Sequence, residues 1–236
     1  IIARMYMPKD FGVLQIFISI MGVFSVAACL RYELSIPLAK NDEEASASFA
    51  LSVIISLIFS LIVLAIIPLL GSRIATWFKS PDLQMFLWLL PIAILIGSLR
   101  QSLQYWAAYK MRFGIMAWGG FVSAVVGGLT PIGWYFVYGR SPAGLLVAIF
   151  TGGAITVLIL LLPLFQRLID GFKKGGLRSI VNVAKYHRNF PIYATWASLV
   201  NTLSSQMPTF VLGVYFPVKV VGYYSLANRI IGLPVS

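Results

Sequence analysis

The chain has 236 residues, of which 59% are hydrophobic and only 11% charged, with a net charge of +11. Soluble domains carry about 25% charge, so this composition excludes a water-exposed globule. It also argues against nucleic acid as the partner of the positive charge, because no basic run carries the interleaved aromatics on which bases stack.

A membrane helix needs about 20 mostly apolar residues, since the hydrocarbon core is about 30 Å thick. Six such runs follow one another: Phe11–Leu38, Ala45–Gly71, Leu83–Ala108, Ile115–Tyr138, Ala143–Phe165 and Phe190–Phe216. A seventh starts at Gly222 and continues to Ser236. Inside lipid every backbone N–H and C=O needs a partner within the protein, so these runs are expected to be helices. The expected class is an all-α polytopic membrane protein.

The opening residues Ile1-Ile2-Ala3-Arg4 lack a methionine and a signal-peptide n-region. They read as the tail of an earlier apolar helix, and the whole chain as an internal fragment of a longer protein. Residues 1–10 would hold that helix end and an outer loop. Residues 11–166 would hold helices two to six of a first lobe. Residues 167–189 would form a cytoplasmic loop between lobes, and 190–236 the first two helices of a second lobe.

Charge between the runs sets orientation. With loops on alternating sides, one set holds Arg31, Lys40, Arg100, Lys110, Arg112, Arg167, Lys173, Lys174, Arg178, Lys185 and Arg188. The other holds Arg4, Lys9, Arg73, Lys79, Arg140 and Lys219. The first set is the larger and is placed in the cytoplasm by the positive-inside rule. The basic stretch Gly171–Arg178 reads as a solvated topological anchor, with an anionic lipid headgroup as the other reading.

Two junctions resemble one another. Tyr6-Met7-Pro8-Lys9-Asp10-Phe11-Gly12 joins the first helix end to the first complete run. Tyr215-Phe216-Pro217-Val218-Lys219-Val220-Val221-Gly222 joins the sixth run to the seventh, with one extra residue between Pro and Gly. Six helices lie between the copies. An even number implies a parallel repeat about an axis along the membrane normal, as in the halves of many transporters. Pro91, Pro131, Pro163 and the pairs Gly119-Gly120, Gly127-Gly128 and Gly152-Gly153 interrupt the spans. Such residues permit close helix packing, or mark a hinge or cavity.

No catalytic constellation or phosphate-binding loop is present, and no cofactor or metal site is expected. His187 is the single histidine and lies in the basic segment Lys185-Tyr186-His187-Arg188, away from ligand-spaced Cys, Asp or Glu. Cys29 is the single cysteine and reads as a packed residue. Asp42-Glu43-Glu44 reads as a solvated turn at a helix start. Charges in or beside spans are more informative, because lipid makes them expensive. These are Arg229, seven residues past Gly222; Arg31 with Glu33 near the end of the first complete run; and Arg4 at the first junction.

Residues 1–40 resemble the Wzx-type oligosaccharide-lipid flippases, members of the superfamily that includes multidrug/toxin extruders and lipid II flippases. The resemblance rests on Ala3-Arg4, Pro8, Asp10-Phe11-Gly12, Leu30-Arg31-Tyr32-Glu33-Leu34 and Lys40-Asn41-Asp42-Glu43-Glu44-Ala45. A second block does the same through Tyr186-His187-Arg188-Asn189-Phe190-Pro191, Pro208, Gly222-Tyr223-Tyr224, Ala227-Asn228-Arg229 and Leu233-Pro234. Residues 50–180 match mainly in hydropathy and spacing.

The resemblance implies a MATE-like fold: a six-helix lobe plus the start of a second lobe around a central cavity. It implies alternating access that carries a polyprenyl-diphosphate-linked oligosaccharide from the inner to the outer leaflet of a bacterial or archaeal cytoplasmic membrane. Glycan polymerase and glycosyltransferases are its implied partners beside the lipid bilayer. In the lipid II branch, arginines on helices one, two and eight meet the diphosphate; Arg4, Arg31 and Arg229 fall on those helices. Glu33 would pair with Arg31 or gate the inner side. The alternatives are a cation-coupled multidrug exporter of the same fold and a non-transporting membrane scaffold. An exporter of organic cations needs buried carboxylates in its cavity, and only Glu33 lies near a span interior.

Overall fold

A computed structural model describes residues 2–232, except for the side chains at 3, 167, 169, 171–175, 177, 230 and 232. The end of the seventh run, and the side chains of Arg167, Lys173 and Lys174, therefore lie outside the described residues. The described residues are mostly helical, without strands: α1 (Ile2–Met5), α2 (Pro8–Ala28), α3 (Asp42–Trp77), α4 (Pro81–Leu87), α5 (Leu90–Tyr109), α6 (Phe113–Tyr138), α7 (Pro142–Tyr186), α8 (Thr195–Tyr215) and α9 (Val218–Gly232).

Among the described residues, four helices are long and apolar enough to cross a membrane: α2, α3, α6 and the Pro142–Gln166 part of α7. The pair α4 and α5, bent by 54° at its break, passes the same length and composition test when its halves are taken together as one broken span. The break has a local cause. Pro91 has no N–H to give to the carbonyl of Leu87, so the ladder fails where α4 ends. Apolar side chains such as Leu57, Ile58, Leu61 and Ile62 point outward from α3. On the opposite face Ser48, Ser52, Ser56 and Ser60 are buried at four-residue spacing, and small residues let α3 approach α5 and α7 closely. The molecule is an all-α polytopic membrane protein.

Three sequence expectations change. The first complete run does not stay helical to Leu38. It ends at Ala28, because Leu30 and Arg31 take left-handed backbone angles (φ 48° and 60°), and the chain continues as a 3-10 helix, Tyr32–Leu38. The segment 167–189 is not a loop for most of its length: α7 runs on to Tyr186. Its buried Ile180 and Val183 pack with Tyr32, Ala47 and Leu51 on the start of α3, giving an apolar reason for helix beyond the span. Gly176 kinks it with φ 57° and ψ −166°, angles open essentially to glycine alone. The sixth run divides into a π-helical turn, Phe190–Ala194, and α8. With Asn201, Ser204, Ser205, Gln206 and Thr209 in it, α8 is not among the helices apolar enough to span by composition.

The junctions gather at two ends of the bundle, as alternating loops require. At one end Lys9 pairs with Asp82 at 2.7 Å, and Lys79 Nζ donates to the Tyr215 carbonyl at 3.2 Å. At the other, Lys110 pairs with Asp42, Tyr32 Oη donates to the Ala184 carbonyl at 3.2 Å, and His187 Nε2 lies 3.5 Å from Glu44. Asn41 caps α3 by accepting from the Glu44 N–H at 2.8 Å, and the acidic triplet occupies the first turn of α3, where the helix dipole favours negative charge.

This arrangement is checked by thiol labelling. In a Cys29→Ala background, Lys79→Cys and Arg112→Cys are expected to react with an impermeant reagent from opposite faces of the membrane. Labelling of both from one face would break the span assignment.

Candidate functional site

An open cavity of about 360 Å³ lies between α1, α2, α5, α6, α7 and α9. Its shape follows from the small residues of α6 and α7. Ser123 Oγ donates to the Gly152 carbonyl at 2.9 Å. A side chain on Gly152 would meet that hydroxyl at 3.0 Å, and one on Gly153 would meet Ile96 at 2.9 Å. Close packing and cavity formation are thus both served by these glycines. Gly120 and Gly128, by contrast, face open space. Pro131, which also borders the cavity, has no N–H, so the Gly127 carbonyl lacks its usual helical donor. Tyr6 Oη in turn donates to the Pro131 carbonyl at 2.6 Å, fixing α1 against α6.

Two arginines border this cavity, Arg100 from α5 and Arg229 from α9. The guanidinium of Arg229 lies over the Phe11 ring, 5.4 Å from its centroid, a cation–π contact. Among the described residues no carboxylate forms an ion pair with either arginine. Arg100 also borders a second cavity of about 360 Å³ with Gln101, Gln104 and Tyr105. Arginine keeps its charge in almost any surroundings and presents a planar fork of donors. Two unpaired guanidiniums on one apolar-walled cavity favour an anion with several oxygens, such as a phosphate or diphosphate.

The other candidates sit elsewhere. Arg4 is exposed on the short α1 and is not among the residues bordering the cavity. Arg31 and Glu33 form their own unit at the end of α2, outside the spans. Arg31 Nη1 donates to Glu33 Oε1 at 3.4 Å, and Gln101 Nε2 donates to the same oxygen at 3.2 Å. Glu33 is almost fully buried, while the Arg31 side chain is 18% exposed. Burial pushes the Glu33 carboxyl above its usual range, with a backbone hydrogen bond and Arg31 acting in the opposite direction. Arg31 lies beside Glu33, as expected, and is not among the residues that border the cavity with Arg229. The sequence reading counted Arg100 among loop cations, although position 100 lies well inside the run Leu83–Ala108. That interior position was the available signal.

The family model described as polysaccharide biosynthesis protein matches residues 1–236. No curated protein and no solved structure matches the chain.

The Arg31–Glu33 unit yields a pH test. A carboxyl whose pKa is higher in the folded than in the unfolded state costs stability as pH rises from the unfolded value through the folded one. Removing Arg31 removes an influence that holds the Glu33 pKa down. Arg31→Ala is therefore expected to lose more thermal stability relative to wild type at pH 8 than at pH 5. The Arg31→Ala, Glu33→Gln pair should not show that difference. Equal losses at both pH values, read by melting in detergent, would count against a buried ionised carboxylate.

Proposed function

The chain belongs to the polysaccharide biosynthesis protein family over its whole length, and from that premise we propose that it moves a polyprenyl-diphosphate-linked oligosaccharide across the cytoplasmic membrane of a bacterium or archaeon. The observation that carries the reading is the pair Arg100 and Arg229, both exposed, on one open cavity between apolar helices. A charge placed among apolar spans is retained where it meets water or a counter-ion. A diphosphate supplies the counter-ion, and the two guanidiniums offer bidentate donors to its oxygens.

The lipid tail needs no aqueous path, because it can stay in the bilayer beside the bundle. The sugar and diphosphate are the parts that lipid rejects. A cavity that alternates its opening between the two faces lets those polar parts pass, with the arginines replacing water around the diphosphate. On the loop-charge orientation the end holding Lys110 and His187 is cytoplasmic and the end holding Lys79 and Lys219 is external. The direction of movement is inner to outer leaflet, toward glycan polymerase. Arg31, paired with Glu33, acts at the inner mouth, and Arg4 at the outer end.

The exporter alternative is disfavoured by where the carboxylates sit. Glu33 is engaged by Arg31 and Gln101, and Asp10 accepts from the Met7 N–H at 2.9 Å at the start of α2. Neither borders the arginine cavity.

Hydrogen bonds to charged groups contribute about 1.5–3 kcal/mol each, so each single alanine at Arg100 or Arg229 should slow transport by about tenfold or more. Lysine at either position should retain part of the activity, since charge remains and the fork is lost. The assay is surface display of the polymer together with build-up of the lipid-linked precursor, at matched protein abundance. Normal display by the Arg100→Ala, Arg229→Ala double variant would remove the assignment.

A further inference from the structure

The two junctions that resemble one another in sequence meet in space. Helices α2 and α9 each begin four residues before their glycine, at Pro8 for Gly12 and at Val218 for Gly222. The extra residue of the second copy falls before the helix and leaves the helical register intact. A Cβ on Gly12 would lie 2.7 Å from Val218 Cγ1 and closer still to its carbonyl oxygen. A Cβ on Gly222 would lie 2.5 Å from the Pro8 carbonyl carbon, again closer to the oxygen, and 3.2 Å from Gly12 N. The contacts are reciprocal: each glycine meets the first helical residue of the other copy. Ser225 Oγ donates to Gln15 Oε1 at 3.1 Å, and these two residues are 210 positions apart, the same offset as the glycines.

Reciprocal contacts between equivalent residues mark a local two-fold relation. Its axis direction follows from the register. A pair of antiparallel helices would make contacts whose position numbers sum to a constant. Pairing of equivalent positions at both the glycine turn and Gln15–Ser225 instead requires the two helices to run in the same direction. This is the parallel repeat read from the sequence, with its axis passing between α2 and α9.

Other contacts close the same end. Lys79 donates to the Tyr215 carbonyl, and Phe78 packs on Gly213 and lies 6.1 Å from the Phe210 ring. Ser19 Oγ donates to Gln206 Oε1 at 2.6 Å nearer the middle. All of these join the first lobe to α8 or α9.

We propose that the Gly12–Gly222 crossing of α2 and α9 is the outer gate of the transport path, closed in this structure, and that glycine is required at both positions for it to close. The proposal rests on the transporter reading above. Backbone touches backbone at the crossing, so any side chain there holds the helices apart. The same helix pair places Arg229 over Phe11, one residue from Gly12. A ligand that draws Arg229 off that ring therefore acts directly on the seam.

Two experiments in a Cys29→Ala background test the gate. Gln15→Cys with Ser225→Cys is treated with a short bifunctional methanethiosulfonate. The link is expected to form in native membranes, to stop polymer display, and to release display again on reduction. Failure to form, or a complete link with undiminished display, would overturn the proposal. Separately, Gly222→Ala is expected to make an Ala148→Cys reporter in the cavity react at least about tenfold faster with an impermeant thiol reagent added outside, a population shift toward the open state. An unchanged rate, or faster reaction only from the inner face, would overturn the outer gate. Neither linking nor labelling depends on transport. If both behave as expected while the unmodified protein moves no lipid-linked oligosaccharide, the gate stands and the flippase reading falls.

Discussion

Every feature of this protein answers to one constraint: apolar surroundings accept neither a free backbone group nor a free charge. The backbone meets it by being helical along every described span. The charges meet it by collecting at the two ends, where Lys9 finds Asp82 and Lys110 finds Asp42. What remains is informative because it departs from the rule. Arg100 and Arg229 sit on α5 and α9, exposed beside the same open cavity and without carboxylate ion pairs among the described residues. The cavity chemistry supports the proposed polar, anionic headgroup on a lipid.

Close packing lets the cavity exist beside a sealed end. Helices in lipid gain little from apolar burial, since lipid tails are as apolar as leucine, so small residues that bring backbones together carry the association. The serine row of α3, Gly152 and Gly153 of α7, and the pair Gly12 and Gly222 all serve this purpose. They do so at different places along the spans. On α7 they shape a cavity wall; on α2 and α9 they leave no space at all. The difference is in what faces the glycine: Ser123 and a void in the first case, another helix backbone in the second.

Much of this was legible in the sequence, for physical reasons. Hydropathy over twenty residues reports the bilayer directly, so the starts of the spans from α2 to α7 were placed within three residues. The repeat was visible as Tyr-x-Pro followed by Gly, and its even helix count gave the direction that α2 and α9 share. Other features were hidden because they depend on neighbours. Nothing local in Leu30-Arg31 announces two left-handed residues, so the end of α2 at Ala28 was missed. The helix beyond Gln166 reads as a loop by charge, and only its buried Ile180 and Val183 against α3 explain it. Arg100 was grouped with loop cations because charge was counted by sign and side, whereas its role depends on which cavity α5 happens to face.

The most direct test is reconstitution. The protein in liposomes, with a polyprenyl-diphosphate-linked oligosaccharide in one leaflet, is followed by access of an external lectin to the sugar. The account predicts transbilayer movement well above protein-free liposomes, lost when Arg100 and Arg229 are both alanine and suppressed when α2 and α9 are linked at 15 and 225. Movement at the wild-type rate in the double-alanine protein, or none above the protein-free background with wild type, would contradict it.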